Sequence, residues 1–487
     1  MKKKLIIITA IIAASPVLYS FCGFYVSKAD GTLKNKTSQV ILVRDGNKTV
    51  ITMYNDFKGD VKDFAMVVPV PVVLQKNDIK VTGNNIFQLL NDYSAPRLVE
   101  YFDENPCGMR LMEDKAYSMA PMSRSKKDDA ELYKNKSLGV TVEASYTVGE
   151  YDILILSAKE SSGLKTWLTG NGYKIPKGAE EVLEPYIKSN LKFFVVKVNI
   201  EEKEKTGLEN LRPIQIKFNS PKFMLPIRLG MANADGDQDM IIYGFTRRGR
   251  IETTNYRTVT VPTGKNIPLF VQKNFSGFYT NLFMHQWKSE DERIAFLEYA
   301  WDVSPANYVK CDPCVSNPPG YNDLKTAGVW WLGSNDEDYI DGNEPGSHVY
   351  FTRLHVRYNR RAFPQDLSFQ VTPNTENFQA RYIITHPATG SFNCPEGKKY
   401  LGDLKERRRK ELNMLASLTG KDASDWDITL NDEENMNISA DVSYSGLSKL
   451  SPDELKKTGS ASTEKIIFAS VVALACMCAV KYKVDRI

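Results

Sequence analysis

The sequence lacks a strong charge of either sign, a high content of cysteine or histidine, and hydrophobic runs for several membrane spans. Its 487 residues include only 7 cysteines and 4 histidines, and 42% of them are hydrophobic. This composition excludes disordered, collagen-like and multi-span membrane proteins. The length allows one to three globular domains with a core of substantial size.

The charge distribution excludes a further class of protein. The formal net charge of +4 falls to −2 once the three lysines at 2–4 and a net +3 in the C-terminal segment are left out. A part of the chain so close to neutral lacks the basic footprint with which proteins bind nucleic acid. We therefore expect no nucleic-acid partner.

Signatures of common enzyme classes are also missing. The sequence has no G-x-S-x-G elbow, no H-E-x-x-H, no P-loop and no G-x-G-x-x-G after a strand. All four histidines are candidate bases, but His348 and His355 lie seven residues apart in one extended segment and so point to opposite faces. The residues alone favour a protein without catalytic activity.

The N-terminus has the pattern of an export signal. Three lysines precede the apolar stretch LIIITAIIAA, which predicts a signal peptide over residues 1–20 that is cleaved before Phe21. Lipidation of Cys22 and retention as an uncleaved anchor are the alternatives.

The C-terminus contains one apolar run, at 466–480, flanked by lysines. A helix of this length spans about 22 Å, short of a hydrocarbon core of about 30 Å, but snorkelling lysines can close the gap. We predict a single transmembrane helix over 465–481 and, from the positive-inside rule, a cytoplasmic tail over 482–487. A buried core helix and a sorting tail processed after export are the alternatives.

Between the ends, hydrophobic periodicity is mainly that of strands. A hairpin is predicted at Asp45-Gly46. Strands are predicted at 39–44, 49–54, 64–70, 152–157, 191–200, 214–218, 240–246, 250–260, 349–358 and 381–385.

Helices are fewer, and two of them carry capping signals. Ser289 with Glu292, and Asp403 with Glu406, predict helix starts. The helices are predicted at 86–92, 96–103, 163–168, 179–189, 291–301 and 403–420.

These elements predict a strand-dominated α+β fold. We expect a β-rich ectodomain of two β-sandwich-like lobes with short helices, one over 21–265 and one over 266–420, the second ending in a charged helix. A polar stalk over 421–464 would join it to the transmembrane helix.

Five cysteines lie outside the apolar ends: Cys22, Cys107, Cys311, Cys314 and Cys394. In an exported protein, disulfides are their default use. A bridge from Cys22 to Cys107 would close a loop of about 85 residues and stabilise the fold by roughly 4 kcal/mol.

Cys311-Asp-Pro-Cys314 is the sharpest local motif, because C-x-x-C spacing suits a redox dithiol, a zinc site or a structural bridge. The following Asn-Pro-Pro-Gly prevents the helix that would stabilise a reactive thiolate, so redox catalysis is disfavoured. A zinc site would need Cys394 and His386 as further ligands. We expect a structural disulfide, and no zinc.

Two acidic loops have oxygen side chains spaced as in calcium sites. Asn233, Asp235, Asp237 and Asp239 alternate along the first, and the second covers 335–344. The first lacks the glycine and glutamate of an EF-hand, which favours a polar turn in place of bound calcium. We therefore expect no cofactor.

Two further features are candidate binding surfaces. Trp330 and Trp331, with Tyr339 nearby, form a possible carbohydrate-stacking surface, with core packing as the alternative. The basic run at 405–410 is a possible contact for anions, with a solvated helix face as the alternative.

Several longer stretches occur together and in order. They are CGFYVSKADGTLKNKTSQVILVRDG from Cys22, FAMVVPVPVVL from Phe64, YSAPRLVEYFDENPC from Tyr93, YDILILSAKESSGLKTWLTGNGY from Tyr151, LPIRLGMANADGDQDMIIYGFTRRGRIETTNYRTV from Leu225, CDPC from Cys311, TRLHVRY from Thr352 and NFQARYIITHP from Asn377. Over about 22–418 the chain resembles the bacterial exported family called domain of unknown function 2330. The resemblance implies a cell-envelope protein and supplies no activity and no catalytic residues.

Together these features predict a single-pass protein of the cell membrane whose main domain lies outside the cytoplasm, in the periplasm if the cell has two membranes. We expect a non-enzymatic binding or structural module with an envelope protein or a glycan as partner. The alternative is an envelope enzyme, either active in thiol-disulfide exchange through Cys311 and Cys314 or a metal-dependent hydrolase that uses His386 and the acidic loops.

Overall fold

The computed structural model describes residues 24–25, 37–54, 65–107, 136–137, 140–171, 179–207, 211–232, 236–332 and 348–422. Over these ranges the chain has the strand-rich α+β fold that the sequence predicts. None of the helices within them is both long and apolar enough to cross a bilayer. The predicted signal peptide, the predicted stalk from residue 423 onward and the predicted membrane helix over 465–481 lie outside the described residues.

The strands are β1 (Phe24–Tyr25), β2 (Thr37–Asp45), β3 (Lys48–Met53), β4 (Ala65–Val70), β5 (Ile79–Val81), β6 (Arg97–Phe102), β7 (Lys136–Ser137), β8 (Val140–Val148), β9 (Tyr151–Ala158), β10 (Lys192–Val198), β11 (Ile214–Asn219), β12 (Met224–Leu225), β13 (Gln238–Thr246), β14 (Ile251–Thr253), β15 (Arg257–Thr260), β16 (Lys265–Asn266), β17 (Ile294–Asp302), β18 (Tyr350–Tyr358), β19 (Leu367–Val371), β20 (Phe378–Gln379) and β21 (Arg381–His386). The α-helices are α1 (Asn85–Ser94), α2 (Ser161–Gly170), α3 (Ala179–Lys188), α4 (Ile200–Thr206), α5 (Phe275–Ser289), α6 (Tyr321–Ala327) and α7 (Pro395–Thr419).

Two large sheets dominate the fold. A six-stranded antiparallel sheet has the order β1-β4-β10-β9-β8-β7. A nine-stranded mixed sheet has the order β15-β17-β18-β13-β2-β3-β11-β5, with β20 paired to β17. Two three-stranded sheets, β12-β19-β14 and β16-β21-β6, complete the strand pairing of the described residues.

The main hydrophobic core lies between the two large sheets. It joins Val68 and Phe194 of the six-stranded sheet to Leu42, Ile242 and Leu354 of the nine-stranded sheet. Helices cover the outer faces: α2 and α3 pack on the six-stranded sheet, and α1, α5 and α6 pack on the nine-stranded sheet. The architecture is a β-sandwich with helices on both sides.

The nine-stranded sheet combines strands from both sides of the predicted boundary at 265/266. Strand β13 precedes this boundary and β18 follows it, yet the two pair over their whole length, from Gln238 against Tyr358 to Thr246 against Tyr350. The two predicted lobes, 21–265 and 266–420, therefore share one sheet.

Two predicted helices, at 291–301 and 96–103, were wrong, because both segments form strands. Residues 291–301 contain an apolar stripe at helical spacing, but every residue of β17 up to Trp301 is buried, because sheet and helices cover both of its faces. Asp291 and Glu292 have positive φ values of 61° and 62°, which no helix start permits. Residues 96–103 likewise form β6, which pairs in parallel with β21.

Other predicted elements are confirmed. The hairpin of β2 and β3 turns at Gly46, whose φ of +54° suits glycine. Helices α1, α2 and α3 lie where the periodicity places them. The charged helix α7 ends at Gly420 as predicted but begins earlier, at Pro395, with Cys394 as its N-cap.

Candidate functional site

A groove of about 380 Å³ lies on the helix-covered face of the nine-stranded sheet, over β3, β11 and β5. Lys217 stands opposite Val50 in the strand register, and Lys80 stands opposite Gln215, so these side chains share one face. The segment after α6 forms the opposite wall. We call this site the lysine groove; its lining comprises Lys48, Val50, Asn77, Asp78, Ile79, Lys80, Gln215, Lys217, Lys325, Gly328, Val329 and Trp330.

The lysine groove is strongly cationic although the chain is not. Among the described residues, its lining contains four lysines and a single carboxylate, that of Asp78. The ammonium of Lys217 lies 3.9 Å from this carboxylate. Partial desolvation and the charge of Lys217 together lower the pKa of Lys80. Positive charge is therefore concentrated here beyond what the groove's own acid neutralises.

An aromatic ring lies within this cationic lining. The ammonium of Lys48 lies 4.4 Å from the centroid of the Trp330 ring, within range of a cation–π interaction. Trp330 and Trp331 meet edge to face with centroids 5.0 Å apart, and both are partly exposed. The groove thus combines an aromatic surface with ammonium groups, which suits a ligand with both a ring and an anionic group.

The wall of the groove that follows α6 lies very close to the sheet. Gly328 ends α6 with a φ of +107°, and a Cβ there would lie 2.7 Å from Val50. Gln215 holds the same segment by donating from Nε2 to the carbonyl of Thr326 at 3.1 Å. Only glycine at 328 allows the wall of the groove to lie this close to the sheet.

A larger cavity of about 490 Å³ lies between β16 and α7, but its charges balance. Its lining contains three cations and three carboxylates. Arg407 pairs with Asp103 at 2.6 Å, and Lys410 pairs with Glu406 at 2.8 Å. Part of the basic run at 405–410 is thus neutralised within the fold.

A buried charged network lies between the nine-stranded sheet and α5. The Glu298 carboxylate accepts from Arg353 Nε at 2.6 Å and from the Tyr279 hydroxyl at 2.5 Å, and contacts His355 Nδ1 at 2.9 Å. On its other side, His355 Nε2 lies 3.3 Å from the Asp239 carboxylate. Strands β13, β17 and β18 place these groups side by side.

The network fixes the ionisation of its members. Burial opposes ionisation of Glu298, but the charges of His355 and Arg353 outweigh it and lower the pKa to about 2. Burial also opposes protonation of His355, but the carboxylates of Glu298 and Asp239 raise its pKa to about 9. His355 is therefore a cation near neutral pH and is unsuited to act as a general base there.

This arrangement predicts a stability loss at alkaline pH. The pKa of His355 rises from 6.5 to about 9 on folding. The contribution of its protonated form to the free energy of unfolding is therefore complete below pH 6.5 and is lost as the pH rises through about 9. Denaturant unfolding of the wild type should show this decline, and His355→Gln should flatten it. An identical decline in His355→Gln would contradict the assignment.

The disulfide pairing differs in one respect from the pairing expected from the sequence. Cys107 bonds to Cys394, and Cys311 bonds to Cys314. The expected bridge between Cys22 and Cys107 is therefore wrong. The packing of the segment after β6 against the start of α7 places Cys394 next to Cys107. Cys22 lies outside the described residues. With both sulfurs of the C-x-x-C motif joined, they do not serve as zinc ligands.

The candidate metal residues have other partners in the described part of the chain. Asp239 pairs with His355 and with Arg357 at 2.8 Å, while Asp237 accepts from Asn359 at 2.7 Å. His386 bonds to Glu100 at 2.7 Å and stacks on Phe102. The described residues contain no group of three or more His, Cys, Asp or Glu arranged to hold a metal ion. Asn233, Asp235 and the acidic loop at 335–344 lie outside the described residues.

Comparison with solved structures gives one weak likeness. A mutated baculovirus P35 after caspase cleavage is 11% identical, with 44% of this chain and 66% of that chain covered and a TM-score of 0.21. A likeness at this level supports no inference about fold or function. No curated protein matches the sequence.

A family comparison is decisive for classification. The profile of a family described as an uncharacterized protein conserved in bacteria, DUF2330, matches residues 16–370. The match covers most of the chain, including every strand that lines the lysine groove, and ends before α7. The chain therefore belongs to the DUF2330 family of bacterial proteins of uncharacterized function.

Proposed function

We propose that this protein is an exported, membrane-anchored binding module of the bacterial envelope and that its lysine groove binds an acidic glycan. The observation that carries the proposal is the grouping of four lysines around the partly exposed ring of Trp330, opposed by one aspartate in the described part of the chain. The basic N-terminus with its apolar stretch and the apolar C-terminal run support location at the membrane surface.

The chemistry of the groove favours an acidic sugar over a neutral one. A sugar ring covers the apolar surface of an aromatic side chain, while its carboxylate accepts from nearby ammonium groups. Burial lowers the pKa of Lys80, and repulsion from Lys217 lowers it further. A carboxylate bound between them would relieve that repulsion.

The proposal predicts binding of an oligogalacturonate by the full-length protein. The double variant Lys80→Glu/Lys217→Glu should lose about tenfold or more in affinity, because it reverses the charge of two side chains that would contact the ligand's carboxylate. Trp330→Ala should also weaken binding, and Trp330→Phe should retain most of it. Isothermal titration calorimetry at low salt measures all three.

The matched control is Lys399→Glu/Lys405→Glu, which makes the same charge change on exposed positions of α7. It should bind like the wild type, and a neutral malto-oligosaccharide should bind to none of these proteins. Equal losses in the control and in the groove variant would indicate general charge attraction and contradict the proposal.

A further inference from the structure

A second basic cavity, of about 360 Å³, lies on the opposite face of the sheet at the tip of the β2–β3 hairpin. Within the described ranges, its charged lining consists of Arg44, Arg247 and Arg248 against Asp45. The remaining walls are largely apolar and include Pro221, Phe223, Phe369 and Val371. We call this site the Arg44 cavity.

Among the described residues, Arg44 is buried there without a carboxylate partner. Only 6% of this residue is exposed. Its guanidinium donates to the hydroxyl of Thr49 at 2.6 Å and to the carbonyls of Ser220, Asn47 and Pro221 at 2.9, 3.2 and 3.5 Å. All four acceptors are neutral. The guanidinium also lies 5.1 Å from the Phe223 ring centroid. In the part of the chain that the structure describes, no carboxylate lies within 4 Å of it, and burial lowers its pKa.

Neutral acceptors satisfy hydrogen bonds of the Arg44 guanidinium but leave its charge uncompensated, and an anion bound beside it would offset that charge. Asp45 does not supply that anion, because it pairs with Arg247 at 3.0 Å. Arg248 is exposed at the same cavity. The cavity therefore offers one buried and one exposed guanidinium to an incoming oxyanion.

Arg247 connects this cavity to the lysine groove round the hairpin tip. It lines the Arg44 cavity, and its guanidinium lies 5.1 Å from the ring centroid of Trp331. Trp331 in turn contacts Trp330. Lys48, at the other end of the hairpin turn, reaches the Trp330 ring. Basic and aromatic side chains thus follow one another from one face of the sheet to the other.

We propose that the Arg44 cavity is a second anion subsite, which binds a further carboxylate of the same acidic glycan that occupies the lysine groove. This inference rests on the proposed function. If both subsites bind the same molecule, the ligand is a polymer that passes over the tip of the β2–β3 hairpin, and not a single acidic sugar. Affinity then depends on chain length, because a longer chain engages both subsites at once.

The test compares digalacturonate with decagalacturonate on the full-length protein by calorimetry. Arg248→Glu is the main variant, since its exposed side chain can change without disturbing the core. It should lower the affinity for decagalacturonate at least fivefold and leave that for digalacturonate unchanged. Arg44→Gln, where it folds, should do the same. Arg409→Glu, an exposed position on α7, is the matched control.

The outcomes separate the two proposals. If Arg248→Glu binds decagalacturonate like the wild type while Lys80→Glu/Lys217→Glu loses affinity, the second subsite is wrong and the groove stands. If Arg248→Glu weakens both oligomers equally, the cavity does not depend on chain length and the inference is also overturned. If the groove variant binds both oligomers normally, the proposed function itself fails.

Discussion

Replacement of Glu298 by alanine is expected to lower the free energy of unfolding by about 3–5 kcal/mol, because it leaves two buried cations without their shared carboxylate. Arg353 and His355 both contact this carboxylate, and the Glu298 side chain is fully buried. Denaturant unfolding followed by circular dichroism measures the change.

Two variants make this result specific. Glu298→Gln keeps the shape and loses the charge, so it should also destabilise the fold. Glu406→Gln, on the exposed face of α7, should leave the unfolding midpoint unchanged. A small effect of Glu298→Ala, comparable with that of Glu406→Gln, would mean that the network does not hold the sheet to α5.

Loss of the Cys107–Cys394 bridge is the second large effect expected. The two residues are separated by 287 positions, and the chain-entropy relation gives roughly 5–6 kcal/mol for so long a loop, while measured losses are typically about 2–5 kcal/mol. The bridge joins the segment after β6 to the N-cap residue of α7. Cys394→Ser should therefore lower the unfolding midpoint substantially in protein purified without reductant.

The bridge between Cys311 and Cys314 provides the comparison. It spans 3 positions, so the same relation gives only about 2 kcal/mol, and Cys314→Ser should have the smaller effect. Mass spectrometry after alkylation without reductant should find all four cysteines blocked in the wild type. Free thiols at Cys107 and Cys394, or equal effects of the two serine variants, would contradict this ranking.

Local signals in the sequence were sufficient for much of the secondary structure. The β2–β3 hairpin follows from two strand patterns around Asp45-Gly46, and the end of α7 follows from Gly420. Strand β17 was not predictable in this way, because a strand buried on both faces carries a continuous apolar run that also fits a helical stripe. Its pairing with β18 decides its structure, and that contact is long-range.

The lysine groove shows the same limit for a candidate site. Trp330 and Trp331 stand out in the sequence because adjacent tryptophans are unusual, whereas the four lysines are ordinary residues in four separate segments. Only the strand order β3-β11-β5 and the position of α6 bring them together. Likewise Glu298, Arg353 and His355 have no local motif, and their network depends on the pairing of β17 with β18.

The central claim is that the lysine groove is the binding site. Its most direct test is hydrogen–deuterium exchange of the full-length protein, measured with and without decagalacturonate. We expect ligand protection in β3, β11, β5 and the segment from α6 to Trp330, with no change in α2 and α3, which lie on the outer face of the other sheet. Protection confined to other elements, or none at a ligand concentration that saturates binding, would contradict the claim.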